Sequence, residues 1–189
     1  MAHRFNPNKL AHLDNPLRRF LMPPKGSLKR LGVVKGDTVI DIGAGSGYFS
    51  LPASEMVGSE GEVFAVDIQP EAISIIERKR IAGGRQNLRV VLSSDESLGL
   101  PDGIGTLAFM YTVLHEVDDK ATMLCNLYRV LKPGGRIAIV EFGKSAIFGP
   151  PSSERIGEEE MLALLGKAGF LEAVLKKWSM SHYIAMAIK

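Results

Sequence analysis

The sequence predicts an α/β fold: a doubly wound, mostly parallel seven-stranded sheet with helices on both faces and an antiparallel last strand. Three observations carry that expectation. Apolar strand-like stretches alternate with stretches of helical periodicity from residue 38 to about residue 170, a pattern that requires parallel strands joined by right-handed crossovers. The first strand runs straight into the turn Gly43-Ala44-Gly45-Ser46-Gly47 and then into a helical pattern, the kind of βα corner around which such sheets bind ligands. The chain ends in two strand-like stretches, 171–176 and 182–188, with no helix between them, so they can pair as neighbours.

Ahead of the sheet, Pro7, Pro16, Pro23 and Pro24 cut the first 31 residues into short pieces. Leu10, Leu13, Leu17, Phe20 and Leu21 recur at near-helical spacing, which predicts one or two short amphipathic helices, either a buttress or a cap over a ligand. Residues 27–31 finish a helix stopped by Gly32, and Lys35-Gly36-Asp37 turns into the strand 38–42. The helical pattern over 48–56 contains Pro52; proline removes one bond and clashes with the previous turn, so this helix starts late or bends.

The second strand is 62–67, and Gln69-Pro70 opens a helix to about residue 80, with Glu71 suited to its dipole and Gly83-Gly84 at its end. Strand 88–92 leads into the polar Ser93-Ser94-Asp95-Glu96, and strand 106–111 is so apolar that burial on both faces is expected. Asp118 or Asp119 caps a helix with Ala121, Leu124, Leu127, Tyr128 and Leu131 on one stripe, in which Cys125 reads as a small core residue. Pro133-Gly134-Gly135 ends that helix, a fifth strand covers 136–141, and a helix over 157–168 turns Met161, Leu164 and Leu165 inward before Gly169 closes it.

Composition sets the outer limits. A chain of 189 residues fits one domain with a sizeable core. With 23 basic and 21 acidic side chains the net charge is +2, so there is no electrostatic case for nucleic acid. Cys125 is the single cysteine, which excludes an internal disulfide and supplies no metal-ligand cluster. No apolar run reaches the roughly 18 to 20 residues of a membrane span. The start, Met1-Ala2-His3-Arg4-Phe5-Asn6-Pro7, lacks the apolar core of a secretory signal, so a cytoplasmic chain is expected; a homodimer is compatible with all of this.

The glycine turn separates two kinds of ligand. A dinucleotide site needs G-x-G-x-x-G, and the third glycine would fall where Tyr48 stands. The spacing here is G-x-G-x-G, with Asp41 just before it. This pattern resembles motif I of class I methyltransferases, which bind S-adenosylmethionine on a Rossmann-like βα turn with no pyrophosphate to cradle. Glycines allow positive φ and let a ligand approach bare backbone N–H groups of the turn, and unpaired N–H donors at the following helix are expected to help.

Further pieces then match that family over about residues 38–170. Asp67 ends the second strand about twenty residues beyond the turn, where a carboxylate can accept from both ribose hydroxyls. Ser94-Asp95 is similar to the family's adenine contact. Leu98 to Pro101, Thr112-Val113-Leu114-His115-Glu116 and Arg129-Val130-Leu131-Lys132-Pro133-Gly134-Gly135-Arg136 resemble signatures of the ubiquinone and arsenite methyltransferase-like branch.

The resemblance implies a single methyltransferase domain over 1–189, with 1–32 as a helical extension or cap and 33–189 as the core. It implies S-adenosylmethionine as cofactor, held by Asp41, Gly43, Ala44, Gly45, Gly47, Asp67, Ile68, Ser94, Asp95, Tyr111 and Thr112, and a small-molecule acceptor. The acid the family carries just before the fourth strand is missing from Gly103-Ile104-Gly105-Thr106, either lost or replaced by Asp102 further upstream, and one cysteine cannot hold a metalloid. No Asn-Pro-Pro-Tyr or Asp-Pro-Pro-Tyr follows the fourth strand, so the mark of nucleobase or glutamine methylation is absent.

Methyl transfer from a sulfonium needs alignment and exclusion of water, and proximity supplies roughly 7 to 11 kcal/mol in well-oriented pairs. An oxygen or nitrogen nucleophile adds a need for a base, and His115, titrating near neutrality at the edge of the fourth strand, is the candidate. The alternative for His115 is a polar pair with Glu116 at a strand end. A nicotinamide-dependent oxidoreductase and a nonenzymatic S-adenosylmethionine-binding module are the competing functions.

Overall fold

The structure is a computed structural model that describes residues 22–189. The amphipathic helices expected before residue 22, and with them most of the expected cap, lie outside the described residues. The described chain falls into two compact units, one ending at Gly99 and one running from Leu100 to Lys189. The described strands form one seven-stranded sheet.

The first unit opens with α1 (Pro24–Leu31), which has proline in its first turn and ends at Gly32 with φ 92°. The strands β1 (Thr38–Ile42), β2 (Glu62–Asp67) and β3 (Leu88–Leu92) pair in parallel, β1 on β2 and β2 on β3. Between them run α2 (Ser50–Val57) and α3 (Pro70–Ala82). Pro52 therefore resolves as a late start: it sits in the first turn of α2, where its missing N–H would have had no helical partner. Val39, Ile40, Val63, Ala65, Val66, Ala53, Val57 and Ile76 are buried and form this unit's core.

The second unit holds β4 (Gly105–Tyr111), a 3₁₀ turn (Leu114–Glu116), α4 (Lys120–Val130), β5 (Leu131–Phe142), α5 (Glu158–Lys167), β6 (Leu171–Lys177) and β7 (His182–Ile188). β4 and β5 are parallel, and β7 pairs antiparallel with β5 on one side and β6 on the other. The sheet order is β3-β2-β1-β4-β5-β7-β6, and the last strand is antiparallel, as expected. Asp119, not Asp118, caps α4 by accepting from the Thr122 N–H at 2.9 Å. The apolar stripe of α4 is Leu124, Leu127 and Val130, while Ala121 is exposed. Cys125 is exposed as well, which corrects its reading as a core residue: it lies one position past Leu124, turned off the buried face. Among the described residues no helix is long and apolar enough to cross a membrane.

Candidate functional site

In the first unit the chemistry gathers where β1 and β2 end. Gly43, Gly45 and Gly47 have φ of 72°, 56° and 80°, the left-handed region that glycine alone enters without cost. They divide the work. A Cβ on Gly47 would stand 3.3 Å from Leu51 and 3.4 Å from Ile76, so this glycine lets the turn pack on α2 and α3. Gly43 is exposed and Gly45 half-buried, so these two present bare backbone.

The turn's N–H groups are not free, as the sequence had suggested. Those of Gly43 and Ala44 both donate to Val66 O, at 2.9 and 3.1 Å, and that of Gly47 donates to Ala44 O at 2.9 Å. The Gly45 N–H donates to Asp67 Oδ2 at 2.8 Å. A pyrophosphate is bound by converging unpaired N–H groups, and four of these are already committed. What the turn offers is smooth surface beside a carboxylate.

Asp67 is buried and accepts from Gly45 through one oxygen and from the Gln69 N–H at 2.9 Å through the other. Two carboxylate oxygens carry about four acceptor positions, so capacity for two ribose hydroxyls is left. Burial pushes its pKa up, and the backbone donors of Gln69, Gly45 and Ile68 oppose that rise. Asp41 is more deeply buried and accepts from Ser50 Oγ at 2.5 Å, joining β1 to the start of α2. Burial raises its pKa to about 7, against the Ser50 hydrogen bond and with the Asp67 charge adding to the rise.

The buried Ser46 hydroxyl finds no hydrogen-bond partner among the described residues, while the Ser46 carbonyl accepts from Lys79 Nζ at 2.9 Å. After β3, Ser94 and Asp95 are exposed, and Ser94 Oγ accepts from the Ser97 N–H at 3.1 Å in a local turn. Ile68 is half-buried and Ala44 buried. Bare glycine surface, a buried carboxylate with spare acceptor capacity and an orphaned hydroxyl fit a nucleoside bound through its sugar.

In the second unit the polar and aromatic side chains gather where β4 and β5 end. Tyr111 closes β4, and Thr112 follows at φ 55°, a conformation a β-branched residue rarely adopts. Its N–H donates to Val140 O at 2.8 Å, and its Oγ1 bonds Tyr111 O at 2.7 Å. His115 lies buried in the 3₁₀ turn with Nδ1 at 2.8 Å from Glu141 Oε2, and Glu141 also accepts from the His115 N–H at 3.2 Å. Glu116, the partner expected from sequence, stands 3.8 Å from His115 Nε2. Burial lowers the His115 pKa, but the Glu141 hydrogen bond and the charges of Glu141, Glu116 and Glu154 overcome it, and the net direction is upward.

Aromatic rings complete this cluster. Trp178 Nε1 donates to the Tyr111 hydroxyl at 2.9 Å, and the Phe142 and His182 rings lie 4.4 Å apart at 38°. His115 meets the Phe142 ring edge-on at 5.8 Å. Burial lowers the His182 pKa, partly offset by Glu141. Glu141, Phe142, Trp178 and His182 were not singled out from sequence; an acid ending an otherwise apolar strand was the one signal that could have drawn attention to Glu141. Asp102, the expected replacement acid, is exposed and pairs with Arg129. Among the described residues no cluster of metal ligands exists.

A model of the ubiE/COQ5 methyltransferase family matches residues 25–173. The chain is 33% identical over 147 residues to the ubiquinone/menaquinone biosynthesis C-methyltransferase UbiE of Francisella philomiragia, covering 76% of this chain and 58% of that protein. It is 30% identical over 153 residues to the demethylmenaquinone methyltransferase of Geobacillus stearothermophilus, covering 78% and 65%. The chain thus spans about three-fifths of the length of these relatives. Among solved structures, a SAM-dependent methyltransferase from Aquifex aeolicus superposes with a TM-score of 0.90 at 32% identity, over 98% of this chain and 99% of that one.

Proposed function

Since the chain belongs to the ubiE/COQ5 methyltransferase family, we propose that it is an S-adenosylmethionine-dependent methyltransferase whose acceptor is a small, quinone-type molecule carrying a ring hydroxyl. The observation that carries this reading is the glycine turn, whose N–H groups are bonded within the protein while Asp67 sits buried beside it. That arrangement suits a nucleoside held by its ribose and not a dinucleotide held by its pyrophosphate.

When bound, the cofactor supplies an electrophilic methyl group on a sulfonium. Asp67 would take the ribose hydroxyls, and Gly43 and Gly45 would let the ligand lie against backbone. Ser94 and Asp95 would meet the adenine, with Ala44, Gly47 and Ile68 shaping the same wall and Asp41 holding the turn on α2 through Ser50. Tyr111 and Thr112 would position the methionine part or the acceptor. His115 would take the hydroxyl proton, since a ring oxygen is a poor nucleophile until it is deprotonated. The acceptor class follows the names of the relatives, and a cytoplasmic location is part of the same proposal.

Calorimetry with S-adenosylmethionine, S-adenosylhomocysteine and NAD, followed by methyl transfer to a panel of hydroquinones, catechols and amines, tests it. Binding of the first two and not NAD, with transfer to a hydroxylated ring, is the expected result. Binding of S-adenosylhomocysteine with no transfer to any acceptor would make the chain a binding module. His115→Gln should lower kcat by roughly a hundredfold, the contribution of a general base, and leave cofactor affinity unchanged.

A further inference from the structure

Glu141 has no part in the reading above, yet it is the least exposed acid of the described chain, at 1%. A carboxylate at that depth is costly unless each oxygen is engaged. Its partners are specific. Oε1 accepts from the His115 N–H at 3.2 Å, while Oε2 lies 2.8 Å from His115 Nδ1 and 3.3 Å from the Phe142 N–H. One side chain of β5 therefore fixes both the backbone and the ring of the 3₁₀ turn that follows β4.

The consequence concerns the other ring nitrogen. With Nδ1–H donating to the carboxylate, the neutral imidazole carries its lone pair on Nε2, and Nε2 makes no hydrogen bond among the described residues. The edge of Phe142 packs on the same imidazole, and Phe142 in turn lies against His182. The ring is thus held by a charge-assisted bond on one side and an aromatic contact on another, with Nε2 left as the basic atom.

We infer that Glu141 is a positioning residue, which sets the tautomer and orientation of His115 so that Nε2 accepts the proton of a ring hydroxyl on the acceptor. The inference rests on the proposed reading of His115 as base. In the step it describes, the acceptor O–H bond breaks and its proton goes to Nε2, leaving the electron pair on the ring oxygen, delocalised to the adjacent carbon. The ring's pair forms the bond to the methyl carbon as the S–CH₃ pair returns to sulfur, giving a neutral thioether. Methylation at carbon is completed when that carbon loses its own proton to solvent and the ring oxygen, its pair restored, takes a proton back from the imidazolium; methylation at oxygen leaves the imidazolium to release its proton to solvent.

Carboxylates face His115 from three segments: Glu141 on β5, Glu116 on its own turn and Glu154 in the loop before α5. All three favour the imidazolium, and His182 beyond Phe142 has its own pKa lowered. Only Glu141 contacts Nδ1, so its removal is separable from the rest.

The test has two arms. Nitrogen-15 NMR of the intact protein reads the His115 tautomer and titration directly, with no acceptor needed. The Nδ1–H form is expected in the wild type, with the titration moving to lower pH by about one unit in Glu141→Gln. In turnover assays Glu141→Gln should shift the acidic limb of the kcat profile down by the same amount, lower kcat about tenfold above that limb and leave KM unchanged.

An Nε2–H tautomer in the wild type overturns the inference even if the variant does not fold. So does a folded Glu141→Gln protein with an unshifted limb. Wild-type turnover in His115→Gln would instead remove the base itself, so the two failures are distinguishable.

Discussion

The strand ends of the two units solve binding problems in different materials. In the first unit the candidate site is made of backbone: one exposed and one half-buried glycine, four N–H groups bonded internally, and one carboxylate held by two of the chain's own amides. In the second unit it is made of side chains, Tyr111, His115, Glu141, Phe142, Trp178 and His182, drawn from β4, a 3₁₀ turn, β5 and the two sides of the final hairpin. A backbone surface suits a ligand that stays the same, because it depends on φ angles fixed by a contiguous motif. A side-chain surface can be changed one residue at a time, which is how one fold serves many acceptors.

The sharpest way to break the comparison is Gly45→Val. The position has φ 56°, where a β-branched residue is strained, and its side chain would cover the half-open backbone that the ligand is proposed to meet. We expect S-adenosylmethionine affinity to fall at least about a hundredfold, or roughly 3 kcal/mol, with a cooperative melting transition retained. Unchanged calorimetric affinity in the folded variant would move the ligand away from the turn.

This contrast also explains what the sequence made legible. Strands 38–42, 62–67 and 88–92 match β1, β2 and β3 because their apolar runs end locally, at Gly43, at Asp67 and at Ser93-Ser94. β5 begins at Leu131, five residues before the expected 136. Pro133-Gly134-Gly135 follows the end of the helix, and the pairing with β4 jumps across it, from Leu131 opposite Gly105 to Arg136 opposite Leu107. The missing third glycine argued against a dinucleotide from local sequence, whereas the bonding of the turn's N–H groups to Val66 and Asp67 depends on β2 and lay beyond local reading. His115 was visible as a titratable residue at a strand end. Its partner was not, since Glu141 is 26 residues away in sequence and only the β4–β5 pairing brings them together.

Charge state offers a second contrast, smaller in effect. Burial and Asp67 hold the Asp41 carboxyl up to about 7, whereas the carboxylates around His115 favour its charged form. The folded chain keeps the Asp41 proton up to about pH 7, while the unfolded chain loses it near the ordinary 3.8. Between those values the folded state binds more protons, so raising the pH disfavours folding, and above about 7 that cost stays constant. Asp41→Asn keeps an acceptor for Ser50 and carries no charge. It should stabilise the ligand-free protein at pH 8 by about 2 to 4 kcal/mol, from a shift of some three units at 1.36 kcal/mol each, and by much less at pH 4. Denaturant melts at the two pH values decide; equal gains at both would mean that the benefit is not electrostatic.

The smallest expected effect tests whether the side-chain half also stores backbone strain. Thr112 at φ 55° carries a β-branched side chain in a left-handed conformation, which costs roughly 1 to 2 kcal/mol. It is held there by the Val140 carbonyl on one side and by Tyr111 on the other. At an unstrained position, replacement by glycine lowers stability by about 0.5 to 1 kcal/mol through the freer unfolded chain. At Thr112 the released strain exceeds that loss, so Thr112→Gly should leave stability unchanged or raise it by up to about 1 kcal/mol. If the strain serves to aim Tyr111, turnover falls in the same variant while cofactor affinity holds. A loss of more than 1 kcal/mol in urea melts would show that the threonine side chain contributes more than its backbone costs, and the strained turn would then be a consequence of packing and not a device for the acceptor.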